Sequence, residues 1–127
     1  MRHVVTVALL IAGIIHLLPL SGALGPERLA VLYGTLFSDP NMIILLRHRA
    51  VLFGLIGTFL VAAAFLPRLQ VAAFIAGLIS VVSFLLLAWS VGQYNSSIAR
   101  IVTVDLMALG ALVAGLGAYL LQRLRSK

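Results

Sequence analysis

The stretch from Val71 to Val91, VAAFIAGLISVVSFLLLAWSV, decides the fold of this chain. It contains no Asp, Glu, Lys or Arg. An α-helix needs about 20 predominantly apolar residues to cross the hydrocarbon core of a bilayer. Three further long apolar runs cover residues 3–20, 41–66 and 98–121. We therefore predict an all-α integral membrane four-helix bundle that forms one transmembrane domain over residues 1–127.

The overall composition agrees with a membrane protein. Of the 127 residues, 63% are hydrophobic and 9% are charged, whereas about 25% of the residues of a soluble domain are charged. The net charge of +6 would suggest nucleic acid in a soluble chain. Here many basic residues lie at predicted helix ends, where cations anchor membrane proteins. We expect membrane lipids as partners, no nucleic acid and no cofactor, and the absence of cysteine excludes thiol chemistry.

The connections contain clear signals for helix ends. Pro19 and Ser21-Gly22 indicate the end of the first span, and Ser38-Asp39-Pro40 has the pattern of a helix cap and first turn. Between them we predict a short helix at the membrane interface that begins at Gly25-Pro26-Glu27-Arg28. Its apolar side should carry Leu29, Leu32, Tyr33 and Leu36. We expect the first span to be retained and not cleaved as a signal peptide, because the run continues past His16.

The basic residues also bear on topology. With four spans, one side of the membrane holds five basic residues: Arg2, Arg68, Arg123, Arg125 and Lys127. The opposite side holds four: Arg28, Arg47, Arg49 and Arg100. The bias grows if the last three lie within the membrane, because the positive-inside rule counts loop charges. We predict both termini in the cytoplasm, with dual insertion as the alternative.

Polar residues in four segments fall at one predicted depth, in the outer half of the bilayer. They are His16, Arg47, His48, Arg49, Tyr94, Asn95, Arg100 and Asp105. A charge at the bilayer centre costs about 2.5–3.5 kcal/mol on insertion scales, so such residues usually face the bundle interior. We take these eight residues as candidate ligand-binding residues, with His16 and His48 as the candidates for catalysis.

Asp105 needs a cationic partner on another helix, because Arg100 lies about 140° away around their own helix. We predict Arg47 as the first choice, since a stripe of small residues on the same face allows close helix approach: Ala50, Gly54, Gly57 and Thr58. The second choice for the partner is His16. Arg49 points about 200° away from Arg47, and we expect it to reach the headgroups or a neighbouring subunit.

Each of these features also has a structural interpretation. His16 could bond a backbone carbonyl or a serine, and Arg47 with Asp105 could be a structural ion pair. Two further stripes are predicted to serve helix packing. They are the serine face Ser80, Ser83, Ser90 and Tyr94, and the small-residue face Met107, Gly110, Ala114 and Gly117.

The surplus of cations is the most informative chemical feature. One carboxylate faces up to three arginines and two histidines, which predicts a net positive pocket. Such a pocket suits phosphate, carboxylate or a lipid headgroup, because arginine binds these groups with two parallel hydrogen bonds. We predict no metal, since the adjacent arginines would repel it.

Several segments resemble a family of small, poorly characterised bacterial four-span inner-membrane proteins. The similar segments are HLLP from His16, LYG from Leu32, LRHRAVLFG from Leu46, and AWSVG from Ala88 with Tyr94-Asn95. The resemblance covers most of the chain and implies a four-span architecture in a bacterial inner membrane. Some members are labelled phosphopantetheine adenylyltransferase. That activity requires an α/β nucleotide fold and a His-x-Gly-His type signature, and the sequence has neither.

Three functions follow as hypotheses. The first is a non-enzymatic binding or transport module whose outer-leaflet pocket takes an anionic or amphiphilic small molecule or a lipid headgroup. The second is a membrane-embedded enzyme for a lipid or quinone-like substrate, with His16 or His48 as general base. The third is an accessory subunit of a larger membrane complex. The first hypothesis includes a homo-oligomer as an option.

Overall fold

The protein is a bundle of α-helices, and the predicted all-α fold is confirmed. The structure, a computed structural model, describes residues 1–126, and Lys127 from the topology prediction lies outside them. The helices are α1 (Arg2–Leu17), α2 (Pro26–Tyr33), α3 (Pro40–Phe65), α4 (Gln70–Val91) and α5 (Ser96–Arg125). A 3₁₀ helix, Leu18–Leu24, continues α1, and a 3₁₀ turn, Pro67–Leu69, joins α3 to α4.

Four of these segments are long and apolar enough to cross a membrane, as predicted. They are Arg2–Leu24, Pro40–Phe65, Pro67–Val91 and Ser96–Arg125. The chain is therefore a multi-pass membrane protein. All span boundaries lie within four residues of the predicted ones.

The helices are arranged as a four-membered ring. Helix α1 packs mainly against α3 and α5, and α4 packs against the same two helices, so α1 and α4 are diagonal to each other. Arg2, Gln70 and Arg123 line one groove, which brings the start of α1, the start of α4 and the end of α5 together. We call this end of the bundle the terminal end. The opposite end, crossed by α2, is the cavity end.

Close contact between α1 and α3 depends on glycine. A methyl group at Gly57 would lie 2.9 Å from the Gly13 carbonyl oxygen and 2.8 Å from Leu17 Cγ. A methyl group at Gly54 would lie 2.6 Å from Leu20 Cδ1. Small residues allow helix backbones to approach within a membrane, where packing replaces the hydrophobic effect as the main attraction. The predicted packing role is confirmed for Ala50, Gly54 and Gly57, whereas Thr58, the fourth residue of the predicted stripe, is exposed.

One prediction about α5 is wrong: its face with Met107, Gly110, Ala114 and Gly117 does not pack against the bundle. A methyl group added at Gly110 or Gly117 would meet no neighbouring group of residues 1–126 within 4 Å, and Met107 is 64% exposed. The buried side of α5 instead carries Asp105, Ala108, Leu112 and Gly115. Both faces of this helix are apolar, and lipid and protein interior are equally compatible with apolar side chains, so small residues alone did not identify the buried side.

The segment before α3 forms largely as predicted. The Asp39 carboxylate accepts a hydrogen bond from the Asn41 backbone N–H at 2.9 Å and caps α3, and Pro40 occupies the first turn. Helix α2 buries Leu29 and Tyr33 against the bundle. Leu36 does not belong to its apolar side, because α2 is terminated by Gly34 with a left-handed φ of 67° and Leu36 is exposed.

Candidate functional site

A cavity of about 260 Å³ lies at the cavity end of the bundle. It is lined by residues from the end of α1, the 3₁₀ helix, α2, α3 and the first turns of α5. Its polar lining consists of His16, Tyr33, Arg49, Ser97, Arg100 and Asp105. Its apolar lining consists of Ile15, Leu18, Pro19, Val31, Leu32, Phe53, Ile101 and Val104. The cavity therefore combines a charged region with a hydrocarbon wall.

Arg49 is the cation that enters the bundle from α3. Its guanidinium donates a hydrogen bond to the Tyr33 hydroxyl. The guanidinium carbon lies 4.5 Å from the centroid of the Phe53 ring, 5.5 Å from that of Tyr33 and 5.8 Å from that of Phe84. Cation–π attraction stabilises this position. The prediction that Arg49 reaches the headgroups or another subunit is therefore wrong for this structure.

Arg47 does not pair with Asp105, and that prediction is wrong. Its side chain is exposed and lies outside the cavity lining, and its Nε donates to the Ala23 carbonyl oxygen at 2.9 Å. The face of α3 that carries Arg47 packs against α1 and the 3₁₀ helix through Gly57 and Gly54. Because Arg47 precedes these glycines on α3, it lies beside the end of the 3₁₀ helix, where Ala23 is. His48 is exposed as well and does not line the cavity.

Arg100 and Asp105 enter the cavity from α5. Arg100 donates a hydrogen bond to the Ser97 hydroxyl at 3.3 Å, and its side chain is exposed at the edge of the cavity. Asp105 is deeper and only 7% exposed. Arg49 lines the same cavity as Asp105. The cavity thus contains two arginines and one carboxylate, and the hydrogen bonds of both arginines go to neutral hydroxyl groups.

His16 holds α1 to α4 at the inner boundary of the cavity. Its Nδ1 lies 2.8 Å from the Ala12 carbonyl oxygen, and its Nε2 lies 3.0 Å from Ser80 Oγ. A carbonyl oxygen only accepts, so Nδ1 carries a proton, and in the neutral ring Nε2 accepts the Ser80 hydroxyl proton. The ring also stacks on Phe53 with centroids 5.6 Å apart. Both bonds of the structural interpretation, to a carbonyl and to a serine, are present.

Tyr94 and Asn95 lie outside the cavity lining. The Asn95 side-chain oxygen accepts from the Ile98 backbone N–H at 2.9 Å and caps α5. Its Nδ2 donates to the Tyr33 carbonyl oxygen at 2.8 Å, which ties α5 to the end of α2. Tyr94 lines a different, apolar groove with Trp89. Asn95 therefore supports the site indirectly, and Tyr94 takes no part in it.

Three further residues line the cavity without having been predicted as site residues: Tyr33, Phe53 and Ser97. Phe53 follows Arg49 by four residues and Ser97 precedes Arg100 by three, spacings at which side chains meet on one helix face. This spacing could have identified both Phe53 and Ser97 as neighbours of the arginines. Tyr33 reaches Arg49 only through the placement of α2 across the bundle, which no local spacing predicts.

The arrangement can bind an anion with an apolar portion. Two guanidinium groups offer several N–H donors to oxygen atoms, and the apolar wall lies beside them. Within residues 1–126, no three His, Cys, Asp or Glu side chains come together as a metal ion would require. No family model, curated protein or solved structure matches this chain.

Proposed function

We propose that the protein is a membrane-embedded binding module, or the binding unit of a transporter, for an anionic amphiphile. Arg49 and Arg100 bind the anionic group, and the hydrocarbon wall of the cavity contacts the rest of the molecule. The observation that carries this proposal is the pairing of each arginine with a neutral hydroxyl in a cavity that contains one carboxylate.

The charges favour an anionic ligand. With Asp105 ionised, two guanidinium groups leave a net charge of about +1 in the cavity, and removing charges from water is costly unless they are paired. The hydroxyls of Tyr33 and Ser97 orient the arginines without neutralising them. A phosphate or carboxylate supplies the missing negative charge and accepts hydrogen bonds from both arginines.

The geometry supports binding better than catalysis by histidine. A general base must lie within hydrogen-bond reach of the proton that it removes. Both ring nitrogens of His16 are already engaged, by Ala12 and Ser80. His48, the other candidate base, is exposed on α3 and does not line the cavity.

We further propose that the terminal end faces the cytoplasm and that the membrane is a bacterial inner membrane. Arg2, Arg68, Arg123 and Arg125 belong to the termini or to the α3–α4 turn, and such positions count in the positive-inside rule. Arg49 and Arg100 line the cavity and add little to the opposing count. The bacterial setting rests on the family resemblance.

Binding to purified, delipidated protein tests the proposed ligand class. Phosphatidylglycerol, which is anionic, should bind more tightly than phosphatidylcholine. Arg49→Ala and Arg100→Ala should each weaken phosphatidylglycerol binding by about 10- to 100-fold, since a hydrogen bond to a charged group contributes about 1.5–3 kcal/mol. Titration calorimetry or native mass spectrometry gives the affinities.

Arg47→Ala is the matched control, because Arg47 is an arginine on the same helix that lies outside the cavity. It should leave the affinity within about twofold, as expected for an exposed charge. Equal losses in Arg47→Ala and Arg49→Ala would mean that binding follows surface charge, and the cavity would not be the site.

The orientation can be tested separately, because the chain contains no cysteine. Single cysteines at Ser126, at the terminal end, and at Ser38, at the cavity end, should label differently with a membrane-impermeant maleimide in intact cells. We expect labelling of Ser38→Cys and protection of Ser126→Cys. The reverse pattern, or equal labelling of both, would contradict the proposed orientation.

A further inference from the structure

A second recess adjoins the cavity on the side of α4. It is a groove of about 280 Å³ between α3 and α4. Its α3 side consists of Arg49, Phe53 and Ile56. Its α4 side consists of Ala76, Ile79, Ser80, Ser83, Phe84 and Leu87. Arg49 and Phe53 line both spaces, so their side chains form the wall between the cavity and the groove.

The floor of the groove is effectively apolar although two serines line it. Ser80 bonds His16 across the bundle, and the Ser83 hydroxyl donates to the Ser80 carbonyl oxygen at 3.0 Å. Both hydroxyl protons are therefore used within the protein. Apart from Arg49, the remaining side chains are hydrocarbon or aromatic, and Ile79 and Leu87 at the rim are exposed.

The length of the groove matches one leaflet of a bilayer. Its α4 residues extend from Ala76 to Leu87, and at 1.5 Å per residue this is about 16 Å along the helix. The hydrocarbon core of a bilayer is about 30 Å thick, so one leaflet contributes about 15 Å. A single extended alkyl chain lying along the groove would have the guanidinium of Arg49 within reach of its polar end.

We propose that the ligand is an anionic membrane lipid that enters sideways from the bilayer, with its headgroup at Arg49 and one acyl chain in the α3–α4 groove. This rests on the proposed function and narrows it to a lipid as opposed to a water-soluble anion. Charge complementarity at Arg49 and the position of Arg49 between the groove and the cavity select this occupant.

Filling the groove tests the proposal. Ala76→Leu with Ser83→Leu places two larger side chains on its floor. We expect at least about a tenfold loss of affinity for dioleoylphosphatidylglycerol, which is about 1.4 kcal/mol. Binding of glycerol phosphate, which has no chain, should stay unchanged in the same variant.

The matched control is Ala72→Leu with Ser90→Leu. Ala72 and Ser90 are exposed on α4 outside the groove, and Ser90 bonds its own helix at Leu87 as Ser83 does at Ser80. This variant should bind the lipid as the unmodified protein does. Equal lipid affinity in the filled and control variants would overturn the groove proposal while leaving Arg49-dependent anion binding in place. Failure of both lipid and glycerol phosphate to bind the unmodified protein would overturn the proposed function as well.

Discussion

His16 and Ser80 join the two diagonal helices of the bundle, with Nε2 of the histidine 3.0 Å from Oγ of the serine. Within residues 1–126, no side-chain hydrogen bond joins α3 to α5, the other diagonal pair. Because α1 and α4 otherwise have little contact, this bond fixes their spacing at the inner boundary of the cavity. It also positions the Phe53 ring, on which His16 stacks.

Removal of the Ser80 hydroxyl should therefore destabilise the bundle. For Ser80→Ala we expect a decrease in the free energy of unfolding of about 0.6 kcal/mol and at most about 1.7 kcal/mol, the mean and the maximum for side-chain hydrogen bonds between membrane helices. Thermal or denaturant unfolding in a fixed detergent measures it. Ser83→Ala serves as the control, since that hydroxyl bonds only its own helix. Similar losses in the two variants would show that the His16 bond contributes no stability.

The two glycine environments on α5 give a direct test of which side of that helix is buried. A methyl group at Gly115 would lie 2.5 Å from Ala8 Cβ and 3.0 Å from the Phe74 ring. Gly115→Ala should cost about 1–3 kcal/mol, as overpacked cores do. Gly110→Ala adds its methyl group in open space and should be neutral or slightly stabilising, because alanine favours a helix. The opposite order of stabilities would place Gly110 in an interface.

The Asn95 side chain both caps α5 and bonds the end of α2, and two substitutions can separate these contributions. Asn95→Asp retains an oxygen that can cap α5 at Ile98 but removes the N–H donor to the Tyr33 carbonyl. Asn95→Ala removes both, and loss of the cap alone typically costs about 0.5–2 kcal/mol. We expect Asn95→Ala to lower stability more than Asn95→Asp, while both increase amide hydrogen exchange in α2. Unchanged exchange in α2 for both variants would show that Asn95 does not anchor that helix.

The fold could be predicted from the sequence because its signals are local. An apolar run such as Val71–Val91 specifies a span by its length, and Asp39 before Pro40 specifies a helix start by its chemistry. Prediction of the site residues, in contrast, requires knowing which helices are neighbours. Four helices can be ordered in several ways, and in a bilayer hydrophobicity does not distinguish a lipid-facing side from a packed one.

The two arginines of α3 illustrate this difference. The small-residue stripe following Arg47 correctly predicted a close helix contact. That contact is with α1 and the 3₁₀ helix, however, and not with the helix that carries Asp105. Once α1 occupies that side, the divergent direction of Arg49 brings it beside Tyr33, Phe53 and the cavity.

Asp105 allows a prediction whose sign distinguishes ligand classes. In the proposed site its carboxylate repels a bound anion, so Asp105→Asn should raise the affinity for phosphatidylglycerol. The expected gain is roughly 30-fold, corresponding to about 2 kcal/mol of Coulomb energy over about 8 Å at an effective dielectric constant near 20. Asp39→Asn is the control, because this carboxylate caps α3 outside the cavity. A cation-binding site would instead lose its ligand when Asp105 is neutralised. If a folded Asp105→Asn protein binds phosphatidylglycerol more weakly, the prediction is wrong. Asp105 would then contribute to lipid binding and would not merely offset the charge of the two arginines.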